Sequence, residues 1–209
     1  MDGATLSVRS GEMVAVVGPN GAGKSTLFNI VAGVTTADAG ACLLDDTPLP
    51  EVPLSSIGFL PEKPYFYQSF TARESIRFDQ AMRGIEDQDK AIEPLIQHLR
   101  LSDFIDKRMA ALSQGMAKRV ALACALMGAP EVIVLDEPLN GLDIQSVITL
   151  KEQLVLHKQR GAHILISSHV LTFLDGLADK AVFLDKGRVV YESEGGSARE
   201  ETYQQLFLE

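Results

Sequence analysis

Residues 18–26 read GPNGAGKST, set between the apolar run MVAVV at 13–17 and the segment LFNIVAG. No other stretch limits the fold so tightly. Three glycines and a proline in nine residues would leave an isolated loop disordered, yet this one leads straight into a helical pattern. The spacing G-x-x-x-x-G-K-S resolves the conflict: the loop leaves a buried strand, opens a helix, and turns successive backbone N–H groups inward around an anion. The helix N-terminus adds its positive dipole end, and the glycines let the main chain approach phosphate with no Cβ in the way. Gly18, Pro19, Asn20, Gly21, Ala22, Gly23, Lys24, Ser25 and Thr26 are therefore the expected cradle of a nucleoside triphosphate. Lys24 is placed to reach the β- and γ-phosphates and the Ser25 hydroxyl to hold Mg²⁺.

A strand and a helix joined by such a loop belong in an α/β fold, and the remaining apolar runs agree. VIVL (132–135), HILIS (163–167) and AVFL (181–184) are short, nearly continuous and bounded by Gly, Pro or Asp, as strands buried on both faces of a parallel sheet are. Helical patterns alternate with them, at 25–33, 143–160 and 170–178. ACLLDDTPL (41–49) and GRVVYES (187–193) read as edge or hairpin strands, and 197–208 as a closing helix. Between about 63 and 111 the texture changes to charged helical spacing: TARESIRFDQAMRG, QDKAIEPLIQHLRL and DFIDKRMAAL. This predicts one domain over 1–209, with a core of about 1–62 and 112–209 and an inserted helical subdomain of about 63–111.

VIVL runs into Asp136 and Glu137. Two carboxylates at the end of a buried strand are costly unless a cation or a proton meets them. Asp136 suits Mg²⁺, and Glu137 can polarise an attacking water. LSQGM (112–116) opens another helix, with Ser113 as its N-cap and Gly115 keeping the entrance open: a second anion-ready end with no phosphate loop of its own. LNGLD (139–143) follows the acidic strand, and SSH (167–169) ends the next one.

Together these segments resemble the nucleotide-binding subunit of an ATP-binding cassette (ABC) transporter. GPNGAGKST matches its Walker A, LSQGM its signature, VIVLDEP its Walker B, LNGLD its D-loop, SSH its H-loop, and FLPEK (59–63) lies where its Q-loop does. The resemblance implies a P-loop NTPase (RecA-like) core with a mainly parallel sheet, a small antiparallel β region and the inserted helical subdomain. It implies two cassettes packed head to tail around two ATP molecules with Mg²⁺, the second cassette being another copy of this chain or a different subunit. Ser113, Gln114 and Gly115 would bind the ATP of the opposite subunit, and Asp143 would link the two sites. His169 would contact the γ-phosphate in cis and position the water held by Glu137, while Glu62 would meet Mg²⁺ beside Ser25 and Asp136. The ATPase would sit on the cytoplasmic face of the membrane and drive a separate integral membrane permease.

Glu62 stands where the family usually has Gln, and Gln114 and Met116 depart from LSGGQ; both departures resemble exporter ATPases that serve drug, antibiotic or polysaccharide permeases. The alternative is a soluble assembly ATPase of the same family, such as one that loads iron–sulfur clusters. The chain opens inside what resembles the family's second strand, TLSV, and no Tyr, Phe or Trp precedes Gly18, so the first strand and the adenine-stacking aromatic are expected to be missing. A net charge of −9 argues against nucleic acid as a partner. Cys42 and Cys124 read as core thiols, and His98, His157 and His163 as structural residues within helix or strand patterns. No signal peptide and no apolar run of membrane-spanning length is seen in the sequence.

Overall fold

A computed structural model describes residues 1–86, 88–194 and 200–208. A six-stranded sheet has the order β4-β5-β6-β1-β7-β8. Its strands are β1 (Met13–Val17), β4 (Ile57–Leu60), β5 (Val132–Leu135), β6 (His163–Ser167), β7 (Lys180–Asp185) and β8 (Arg188–Glu194). All neighbours run parallel except β7 and β8, which form an antiparallel pair. A separate two-stranded hairpin joins β2 (Leu43–Leu44) to β3 (Thr47–Pro48), where the sequence has the turn residues Asp45 and Asp46, both at positive φ.

The apolar runs become central strands because both of their faces are covered. Along β1, Met13, Ala15 and Val17 face one core, while Val14 and Val16 face the other. Each of these five side chains is 2% exposed or less; burying the larger ones stabilises the fold by about 1.5–3 kcal/mol apiece. The first face carries α2 (Ala72–Arg83), α3 (Gln88–His98), α4 (Gln114–Leu126), α5 (Ile144–Gln159) and the short α6 (Leu171–Leu174). The second face carries α1 (Lys24–Val31) and the hairpin, through Leu27, Phe28, Val31 and Leu44. The last described helix is α7 (Glu200–Phe207).

Three local expectations differ from what is observed, and one strand is unexpected. TLSV forms no strand: Leu6 and Val8 pack on the second core at alternate positions, but their backbone has no ladder partner. DFIDKRMAAL is turns and one 3-10 turn rather than a helix, because its backbone groups bond elsewhere. Ala72 and Arg73 donate to Lys107 O and Ile105 O, and Met109 N–H donates to Phe70 O. The pattern at 170–178 keeps only the four residues of α6 as helix. Finally, β4 was hidden by Gly58, a weak strand former; a Cβ there would lie 1.9 Å from Ala125 O, so only glycine lets α4 cross this strand. The closing helix expected over 197–208 begins, within the described residues, at Glu200.

The helical stretch is held to the core by Arg83. Its guanidinium donates to Cys124 O at 2.5 Å and to Met127 O at 3.3 Å, the carbonyls at the end of α4, and to Ser55 O at 3.3 Å. α2 itself starts with a capping box: Thr71 accepts from Glu74 N–H, and the Glu74 carboxylate accepts from Thr71 N–H.

Candidate functional site

β1, β4, β5 and β6 all end at the same edge, Leu60 beside Leu135, Leu135 beside Ile166, and Val16 beside Ser167. Whatever follows each strand is therefore delivered to one place, the crevice beyond the carboxyl ends of a parallel sheet. After β1 comes the phosphate loop. Gly21 and Gly23 have φ of 81° and 107°, with Gly23 as the N-cap of α1, a conformation that favours glycine. Gly18 is fixed by space instead: a Cβ would stand 2.2 Å from Leu184 O. Lys24 folds back and donates to Gly18 O at 2.6 Å and Pro19 O at 3.1 Å, while Ser25 and Thr26 lie exposed on the first turn of α1. Burial holds the Lys24 ammonium below the usual lysine range, against the pull of Glu137, Asp136 and Glu62.

After β5 come Asp136 and Glu137, 3% and 4% exposed. Ser167, the last residue of β6, binds both: its hydroxyl donates to Asp136 Oδ1 at 2.6 Å and accepts from Glu137 N–H at 2.9 Å. Glu137 has a φ of 47°, a conformation that costs a non-glycine residue about 1 kcal/mol or more. Its Oε2 accepts from His169 N–H at 3.2 Å. The Oε1 atom lies 3.2 Å from His169 Nε2 without hydrogen-bond geometry and is a buried oxygen with no hydrogen bond. Desolvation raises the Glu137 pKa, while His169 and Lys24 oppose that rise. A strained, buried carboxylate with one unpartnered oxygen is thus aimed into the crevice beside the phosphate loop.

The second anion-ready end lies apart. Ser113 and Gln114 are exposed, and the Ser113 hydroxyl caps its own helix by accepting from Met116 N–H at 3.3 Å. Gly115 is required by its neighbour rather than by an open entrance: a Cβ there would come within 2.4 Å of Gly141 O, in LNGLD. Asp143 caps α5, with Oδ1 accepting from Ser146 N–H at 2.7 Å; that bond holds its pKa below the usual carboxylate range. Glu62, two residues past β4, is exposed at the rim.

Residues 1–140 match the family model described as ABC transporter. The chain belongs to the ABC transporter family. It is 32% identical to a lantibiotic transport ATP-binding protein, SrtF, of Streptococcus pyogenes, over all of this chain and 91% of that one. It is 34% identical to Nod factor export ATP-binding protein I of Sinorhizobium fredii, over 92% of this chain and 57% of that one. Among solved structures, an ATP-binding subunit of an ABC transporter superposes with a TM-score of 0.85 at 32% identity, covering 91% of this chain and 82% of that chain. The dimeric bacterial cassette MJ0796 shares the fold, with a TM-score of 0.82 at 23% identity, over 91% of this chain and 88% of that chain. The α/β P-loop fold, ATP binding and the ATP-driven transport role expected from the motifs all agree with this family.

Of the residues expected to act, the fold gathers the phosphate loop, Asp136, Glu137 and His169 at one edge; among the described residues no hydrogen bond or ion pair joins Ser113, Gln114, Gly115 or Asp143 to them. Sequence reasoning gave no role to Ser167 or to Lys118, a lysine that is 3% exposed on α4. The signal for Ser167 was present, a strand run HILI that ends in a hydroxyl. His157 is buried on α5 with its pKa lowered to about 4 by desolvation, which keeps it neutral, in line with a structural role.

Proposed function

We propose that this chain is the ATP-hydrolysing subunit of an exporter, acting as a dimer on the cytoplasmic face of the membrane against a separate permease. In this reading Gly18 to Thr26 cradle the phosphates, Glu137 takes the proton of the attacking water, and His169 positions that water against the γ-phosphate. The observation that carries the assignment is Glu137: its buried Oε1 has no hydrogen bond, it faces His169, and burial raises its pKa toward the range of a working base. The unmet oxygen is what a water would bind.

The donors also fit Mg²⁺. Among the described residues Asp136 engages one oxygen with Ser167 and leaves the other unpartnered, while the Ser25 hydroxyl and Glu62 carboxylate are exposed at the same edge. These are hard oxygen ligands, too few for a cage, as befits a cation that keeps waters and substrate phosphates. When bound, the cation would neutralise charge building on the phosphates. Ser113, Gln114 and Gly115 would meet the nucleotide of the second cassette, with Asp143 at the interface.

A permease partner is supported by a surface feature. Next to Glu62 stands an exposed aromatic group: Tyr67 lies 5.1 Å from Phe70 and 5.6 Å from Phe78, and Tyr65 is 84% exposed. Such a patch suits the cytoplasmic segment of a membrane protein. The relatives are named for lantibiotic transport and Nod factor export, which favours an exporter over an assembly ATPase. The test is Glu137→Gln. It should bind ATP, lose about 10²- to 10⁴-fold in turnover, and accumulate as a dimer in Mg-ATP that copurifies a multi-span membrane protein. Rapid turnover by this variant removes Glu137 from the role, and recovery of soluble partners alone removes the permease.

A further inference from the structure

Among the described residues, the mechanism above leaves one buried charge unused. Lys118 is 3% exposed, and its ammonium makes one hydrogen bond among the described residues, to the main-chain oxygen of Glu62 at 3.2 Å. A buried lysine has three donors to satisfy and is expensive when it has one modest partner. No carboxylate closes to ion-pair distance with it among the described residues. The field it sits in comes from Asp136, Glu137 and Glu62, the same three groups that act on Lys24, while burial lowers its pKa.

Its place on α4 gives that position a use. The helix begins at Ser113 and Gly115, which serve the opposite nucleotide in the proposed dimer, and five residues after Ser113 the buried Lys118 donates to the Glu62 carbonyl of its own subunit. The Lys118–Glu62 bond spans the two segments, α4 and the turn after β4, that frame the crevice. We propose that Lys118 is a positioning residue of the ATPase site. It ties the signature helix to the main chain at Glu62 and sets a second buried positive charge beside that segment. This rests on the site reading given above. With two lysines facing three carboxylates, the site tolerates metal-free ATP; with one, it depends on the cation.

The test compares Lys118→Met, Lys118→Arg and the double variant Lys118→Met/Glu62→Gln, with Lys24→Ala as a control. The readout is binding of a fluorescent ATP analogue in EDTA and across a Mg²⁺ titration, alongside turnover and thermal unfolding. For Lys118→Met, affinity for the metal-free analogue should fall about fivefold, while affinity at saturating Mg²⁺ stays within about twofold. Its kcat should fall about tenfold with KM for Mg-ATP little changed. Lys118→Arg should recover most of kcat, and Glu62→Gln in the Met background should recover only a part of the metal-free binding, because that carboxylate is exposed and screened. If Lys118→Met changes only the unfolding temperature, or lowers both binding affinities equally, the residue is packing and the proposal fails. If Lys24→Ala binds normally, the site reading fails and the proposal goes with it; loss of binding in Lys24→Ala beside a wild-type Lys118→Met sinks Lys118 alone.

Discussion

The phosphate loop and the signature turn are both helix entrances with a serine and a glycine, yet they are built to opposite plans. The phosphate loop emerges from a strand whose residues are all 2% exposed or less, is bridged by Lys24 across two of its own carbonyls, and faces Asp136 and Glu137. Its parts come from one chain and meet in one crevice. The signature turn is exposed, its serine hydroxyl is occupied in capping α4, and its glycine is dictated by Gly141 O. Taken alone it is a piece of surface. In the proposed dimer one end is an anion site in its own right, while the other acquires a role only against a second subunit.

Lys24→Ala is the strongest way to break this comparison. If the phosphate loop is self-sufficient, the variant should lose ATP affinity by about 100-fold or more in calorimetry, without any partner present. Gly115→Ala should do something different. The added Cβ must displace the Gly141 carbonyl, now 2.4 Å from where it would stand, so the turn between β5 and α5 has to shift. Binding of ATP to the isolated chain should remain within about twofold, whereas steady-state turnover should fall about tenfold, equivalent to about 1.4 kcal/mol on the barrier. An equal loss of binding in both variants would erase the distinction between the two ends.

The same contrast explains what the sequence disclosed. The phosphate loop, the acidic strand end and the SSH turn were legible because each joins a buried apolar run to a polar motif, and apolar runs in register bring their ends together. What escaped were contacts between distant segments. Ser167 acts through Asp136 and Glu137, 31 and 30 residues away, and nothing in HILISS says which carboxylate its hydroxyl meets. Gly58 made β4 look broken because the reason for a glycine there, Ala125 O, belongs to a helix much later in the chain. The turn-rich stretch at 103–112 carried helical spacing, but its amides and carbonyls had partners at 68–73 that no local pattern reveals. Gly115 suggests an open entrance for the same reason: the carbonyl that excludes a side chain there, Gly141 O, lies in a later segment.

Glu62→Gln sharpens the comparison at the rim, where the two plans meet. The side chain is exposed, so its charge is screened by solvent and its removal should alter the site modestly. ATP affinity should hold while turnover changes about two- to threefold, measured over a range of Mg²⁺ concentrations. Its main-chain oxygen, which accepts from Lys118, is untouched by the substitution. Unchanged turnover at every Mg²⁺ concentration would assign the residue's importance to that backbone oxygen and none to its carboxylate.

Asp143 has two candidate roles on the signature side. As the N-cap of α5 it accepts from Ser146 N–H at 2.7 Å, and its replacement by Ala should cost about 1 kcal/mol in unfolding measurements. Asn at the same position keeps a capping oxygen and loses the charge. Because the carboxyl's pKa is depressed in the folded chain, the charged cap contributes fully above the ordinary value of 3.8, and the contribution fades as pH falls through the folded value. Asp143→Asn should therefore unfold within a few tenths of a kcal/mol of the parent at neutral pH and lose that acid-side slope. If Asp143→Asn also turns over ATP like the parent, capping accounts for the residue. If turnover drops in Asp143→Asn while stability does not, the carboxylate is read by the second subunit, and the signature side is an interface in more than shape.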